Sequence, residues 1–136
     1  MANIREFMPV REMDDGETEQ NPQLNAKITV GAEAGNVITT TVQLYDLQET
    51  LAQKTLLEMW LSDTAGGVAS AVDSESVSTG TEIQEIVNHG HYSILTDTNG
   101  AVVVAWTKTG ATNRYLNVKN PATGLIHSST VMAFTS

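Results

Sequence analysis

Cysteine is missing from this chain, and basic residues, aromatics and prolines are all scarce. Without cysteine there is no disulfide framework, no thiolate metal centre and no cysteine nucleophile. Seven basic residues against sixteen acidic ones leave a formal net charge of −9. Phosphate backbones are bound by cationic side chains that displace counterions, so no nucleic-acid partner is expected. No apolar run is long enough to span a bilayer, and no membrane partner is expected either. The Gly-x-Ser-x-Gly nucleophile elbow and the glycine-rich phosphate loop are also lacking. What remains is a chain of 136 residues that is 40% hydrophobic and 17% charged. It is too apolar for disorder and suited to one acidic domain that buries roughly two-thirds of its chain surface.

The amino end stands apart. Its opening residues, MANIREFMPVRE, interleave Arg5, Glu6 and Arg11 with apolar positions, and no seven-residue apolar core follows a basic start. They do not read as a secretory signal, so folding in a reducing cytoplasm is expected, with exit inside an assembled particle left open. Residues 1–23 carry six acids and two of the three prolines, Pro9 and Pro22. Ile4, Phe7, Met8, Val10 and Met13 form an apolar tip, and the polar stretch DDGETEQNP (14–22) tethers it. Pro9 limits any helix there to about one turn. The tip either packs on its own domain, frays, or docks on another subunit. The cost of hydrating several apolar groups on an arm, and the adaptability of methionine surfaces, favour docking. An extended arm over 1–23 and a domain over 24–136 are the expected organisation.

From residue 24 the apolar period is close to two. Leu24, Ala26, Ile28 and Val30 share one face of LNAKITV, and Ile38, Val42 and Leu44 share one face of VITTTVQLY (37–45). In QKTLLEMWLS (53–62), Leu57, Met59 and Leu61 alternate with Leu56, Glu58 and Trp60. Apolar groups on both faces suit a central strand. The small, polar run 64–81 either hides a short strand near 68–72 or forms an exposed loop, and EIQEIV (82–87) fits a helical turn or an edge strand. HYSILT (91–96) and AVVVAWTK (101–108) flank Asp97-Thr98-Asn99-Gly100, and Asn-Gly between β-branched runs predicts a hairpin. RYLNV (114–118) and LIHSSTVMAF (125–134) complete the body. Seven to eight short antiparallel strands without a sizeable helix predict an all-β sandwich.

Two segments carry a resemblance. TTVQLYDLQETLAQKTLLEMWLSD (40–63) resembles the strand–turn–strand of immunoglobulin-like domains of the invasin type. YSILTDTNGAVVVAWTKTGATNRYLNV (92–118) is similar to their Asp-x-Asn-Gly hairpin and following strands. The resemblance covers about 24–134 and extends to small phage virion proteins with such a domain, capsid decoration (cement) proteins being the nearest type. It implies an immunoglobulin-like β-sandwich and a non-enzymatic role on the outer head surface of a virion. The major capsid protein and neighbouring copies of the chain, as a homotrimer, would be the partners. A tail, head-fibre or adaptor location is the alternative within that class. The motifs serve turns and core, so no catalytic set carries over, and residues 1–23 lie outside the pattern.

His89-Gly90-His91 would place two imidazoles on one side of a strand, half of a zinc or nickel site, to which His127 on the final strand adds only if the fold brings it near. A polar strand entry explains the pair more simply. Asp97-Thr98-Asn99-Gly100 matches the start of a calcium loop but lacks its closing glutamate. Glu82 and Glu85 could pair for acid–base work, although a solvated strand edge is the commoner meaning. Trp60 and Trp106 sit inside strand patterns and are expected in core or interface rather than as sugar platforms; a carbohydrate-binding module for attachment to cell surfaces, its site framed by the 62–81 loop, is the alternative from a different class. Tyr92 and Tyr115 are expected to carry hydroxyls at the sandwich edge. No cofactor and no metal are expected.

Overall fold

A computed structural model describes residues 24–46 and 49–135, so the arm with Ile4, Phe7, Met8, Val10 and Met13 lies outside the described residues. The described chain is all-β. Its strands are β1 (Leu24–Val30), β2 (Val37–Asp46), β3 (Glu49–Thr50), β4 (Leu56–Ser62), β5 (Ser74–Thr79) and β6 (Thr81–Val87). β7 (His91–Leu95), β8 (Ala101–Thr107), β9 (Thr112–Lys119), β10 (Ile126–Ser128) and β11 (Met132–Phe134) follow. That makes eleven rather than seven or eight, because three elements are only two or three residues long.

Two antiparallel sheets pack face to face. One runs β1-β2-β8-β5 with β3 beside β2, and the other runs β10-β9-β4-β7-β6 with β11 beside β9. β2 pairs β8 in one sheet while β4 pairs β9 in the other, so the β2-to-β4 and β8-to-β9 connections both cross between sheets. In immunoglobulin lettering, β1, β2, β8 and β5 fill positions A, B, E and D, and β10, β9 and β4 fill G, F and C. The chain departs from that order in one place. It visits the D position before the two extra strands, β6 and β7, that widen the second sheet.

That departure comes from one long antiparallel ribbon. Ser74 pairs Thr107, Val77 pairs Val104, Thr81 pairs Leu95, and Val87 pairs His91. The true hairpin tip is therefore 88–90, where Gly90 N–H donates to the Val87 carbonyl at 2.9 Å. Each arm of the ribbon bends midway and passes from one sheet to the other. In the first arm the bend is the single residue Gly80, at φ +98°. In the second it is the 97–100 turn, so the hairpin expected there does not form; β7 and β8 lie in different sheets. The turn itself forms, since Asp97 Oδ1 accepts from the N–H groups of Asn99 and Ala101 at 2.9 Å each. Local chemistry closes the turn, but burial decides where its exits go. Thr96 is buried, accepts from Thr55 N–H at 2.8 Å and donates to the Gln53 carbonyl, which holds the crossing at the sheet rim.

The alternation of the strands builds the core. Ile38, Val42, Leu44, Val102, Val104 and Trp106 face inward from one sheet. Leu57, Met59, Leu61, Ile94, Leu116 and Val118 meet them from the other. β4 lies between β7 and β9, as its two apolar faces suggest, although Leu56 is exposed. The Trp106 indole donates to Thr40 Oγ1 at 2.8 Å, so its one polar atom is satisfied in the interior.

The structure decides two open segments and divides a third. No strand forms at 68–72; Val68 is exposed, Val72 is buried, and the strand lies at β5 instead. EIQEIV resolves as the edge strand β6. The closing run 125–134 is split into β10 and β11, because Ser129 turns inward to donate to and accept from backbone around it.

Gly100 carries the sharpest steric demand. At φ +73° a side-chain carbon there would lie 2.0 Å from the Leu51 carbonyl oxygen. Gly100→Ala is expected to destabilise the protein by more than about 2 kcal/mol in denaturant unfolding, from left-handed strain plus the clash. A loss under half that would mean that the 97–100 turn does not pack on Leu51.

Candidate functional site

Folding back the ribbon brings its base against its own tip. β5 has alternating exposure that turns Glu75, Val77 and Thr79 inward. A carboxylate is thus placed at the rim of the interior on an edge strand, a charge that discourages edge-to-edge pairing. Glu75 Oε1 lies 2.7 Å from Nδ1 of His89, the middle residue of the hairpin tip. Glu85, on the opposite sheet's edge strand, places Oε2 3.7 Å from the same nitrogen and accepts the His89 backbone N–H at 2.7 Å. His89 adopts φ +57°, a left-handed conformation that histidine tolerates better than most side chains.

Tyr92 is buried behind this group, its ring 5.9 Å from Trp106. Among the described residues its hydroxyl has no hydrogen-bond partner. Burial first, then the neighbouring Glu75, Glu85 and Glu82 carboxylates, push the phenol well above the ordinary tyrosine value. After burial, Glu75 is the group that acts on this phenol most strongly. Glu82 is raised above its usual value of 4.5, by desolvation and then by repulsion from Glu75 and Glu85, with His89 opposing.

The two histidines do not act together. His91 begins β7 and hydrogen-bonds Glu58 through Nε2 at 2.6 Å, its ring 5.5 Å from Trp60. The left-handed turn at His89 breaks the strand alternation that would have aligned them. His127 sits on β10, at the other edge of the sheet from β6. Glu82 and Glu85 both lie on exposed β6, as the solvated-edge reading expects. Sequence reasoning missed Glu75 because SESVST looked like linker. The available signal was its strict alternation of serine with Glu75, Val77 and Thr79.

Neither tryptophan offers a sugar platform. Trp106 is enclosed, and Trp60 donates from its indole to the Gly67 carbonyl at 2.8 Å beneath the 63–72 segment. That segment is held down by Arg114, which donates to Ala71 and Thr112 and pairs with Asp63 at 3.0 Å. Asn117, wholly buried, satisfies all its positions by donating to Trp60 and Ser62 and accepting from Gly66 and Ser128. Asp97 spends one carboxylate oxygen on its own turn, as a turn residue rather than an ion ligand does.

The chain matches no protein-family model, and a search of curated proteins finds no match.

Two substitutions test this electrostatic picture. A raised carboxyl pKa penalises the folded state above it and costs nothing well below the ordinary value of 4.5. Glu82→Gln is therefore expected to raise Tm slightly at pH 7, with the gain vanishing near pH 3; an equal Tm at pH 7 would contradict the repulsion. Tyr92→Phe removes a hydroxyl that lacks a partner, and is expected to leave Tm unchanged or raise it. A loss of about 1 kcal/mol or more would reveal a partner that the described residues do not supply.

Proposed function

We propose that this chain is a non-enzymatic structural protein of a phage virion, in its most specific form a capsid decoration protein on the outer head shell. The observation that carries the reading is the state of the six-stranded sheet's two edges. β6 is exposed along its whole length, with Ile83 at 56%, Ile86 at 50% and Val87 at 39%. At the opposite edge Leu125, Ile126 and Val131 are also exposed. An edge strand bearing apolar side chains is a pairing template, and isolated proteins generally protect such strands.

Different apolar edges at the two ends of one sheet favour head-to-tail contact between copies. Such contacts close into rings, and a homotrimer fits a threefold position on a shell. In this reading the arm side chains Ile4, Phe7, Met8, Val10 and Met13 bind the major capsid protein. Their burial supplies roughly 25 cal/mol per Å², less the cost of ordering the arm. Three arms on one trimer reinforce one another through effective concentration. The resemblance of 40–63 and 92–118 to virion immunoglobulin-like domains supports the same class. Synthesis in the host cytoplasm follows from it.

Removal of residues 1–13 is expected to leave a folded domain that no longer occupies shells, measured by co-sedimentation with particles. Unchanged occupancy would overturn the arm mechanism, and a handful of copies per particle would point to the tail instead. Ile83→Lys with Ile86→Lys is expected to convert the assembly to monomers in analytical ultracentrifugation. Unaltered association would remove β6 from the interface.

A further inference from the structure

We propose that Glu75, Glu85 and His89 bind a divalent transition-metal ion, with zinc the best match, that staples the two sheets at their shared edge. The inference is independent of the virion reading. One donor atom from each of the three lies within 4.8 Å of the others. Glu75 comes from the five-stranded sheet, whereas Glu85 and His89 come from the edge strand and hairpin tip of the other. A tetrahedral zinc with bonds of about 2.0–2.1 Å sets its ligand atoms about 3.3 Å apart. The present separations from His89 Nδ1, 2.7 Å to Glu75 and 3.7 Å to Glu85, straddle that value. Movements of roughly half an ångström bring both carboxylates to that distance from the imidazole.

The donor chemistry chooses the ion. Two carboxylates neutralise a divalent charge, and Glu82 adds negative potential beside them. Magnesium and calcium favour all-oxygen spheres of six or more, while imidazole selects zinc, nickel and copper. Both His89 and Glu85 keep about a third of their side-chain surface exposed, which leaves water to complete the sphere.

The supporting shell is where the structure points most directly to a ligand. Metal-binding carboxylates are themselves held by hydrogen bonds. The His89 N–H already fixes Glu85. Tyr92 is 97% buried, borders the same inter-sheet packing as Glu75, and has a hydroxyl without a hydrogen-bond partner among the described residues. When Glu75 turns one oxygen from His89 to a metal, its second oxygen becomes the acceptor that this hydroxyl lacks. The orphaned donor and the rim carboxylate thus explain each other once an ion is bound.

The test uses the full chain, stripped with chelator, and zinc chloride as the probe in calorimetric titration and thermal melts. One zinc per chain and a rise in Tm are expected. His89→Ala and Glu85→Gln should each weaken binding at least tenfold, and Tyr92→Phe about tenfold with the metal-free Tm intact. His91→Ala should bind as the parent does, because that imidazole serves Glu58. Should His89→Ala fail to fold by circular dichroism, Glu85→Gln on the exposed strand carries the test alone. Absence of zinc binding would overturn the proposal. So would equal binding by the His89 and Glu85 variants, or magnesium bound as tightly as zinc.

Discussion

Everything specific about this sandwich depends on one constraint. A ribbon whose arms span residues 74–87 and 91–107 is longer than any single strand of either sheet, and its apolar side chains must stay inside. The ribbon formed by β5 with β6 and β7 with β8 meets that demand by bending across the gap between sheets. A continuous strand can switch sheets only where the backbone has unusual freedom or an inserted turn. Gly80 supplies the first and the 97–100 turn supplies the second. Once bent, the ribbon covers one side of the sandwich and brings residue 75 to residue 89.

The same bend concentrates charge. An edge strand about 10 Å from the facing sheet places its inward positions at the margin of the interior, where the Glu75 side chain keeps only 12% of its surface exposed. His89 hydrogen-bonds the Glu75 carboxylate there from the hairpin tip. The pair is structural whether or not an ion joins it. Its partly solvated setting keeps its direct contribution small, so its importance lies in position rather than in strength. At the sheet's outer edge, by contrast, β6 offers apolar side chains to solvent with no cover among the described residues. One edge thus combines an inward polar clasp with an outward adhesive strand.

Much of the fold was legible from alternation alone. β1, β2, β4, β7, β8 and β9 all lie where period-two patterns put them, because each buries one apolar face. Alternation cannot say which sheet a strand joins. The Asp97-Asn99-Gly100 chemistry identified a tight turn and was silent about whether its flanking strands pair or part. β5 was hidden for a different reason: only Val77 among its inward positions is apolar, so its pattern is carried by size rather than hydrophobicity. The candidate site was half visible. His89 was singled out with the wrong companion, His91, since spacing shows neighbours along a strand and not across a fold. Glu75 becomes a neighbour of His89 only through the ribbon's return.

The folded-back ribbon is best tested by inter-strand nuclear Overhauser contacts in the full-length protein. The account predicts backbone contacts between Val77 and Val104 and between Glu85 and Tyr92, together with side-chain contacts between Glu75 and His89. Cross-strand contacts that pair Ile94 and Leu95 with Val102 and Val103 around a hairpin at 97–100, with Glu75 remote from His89, would contradict it.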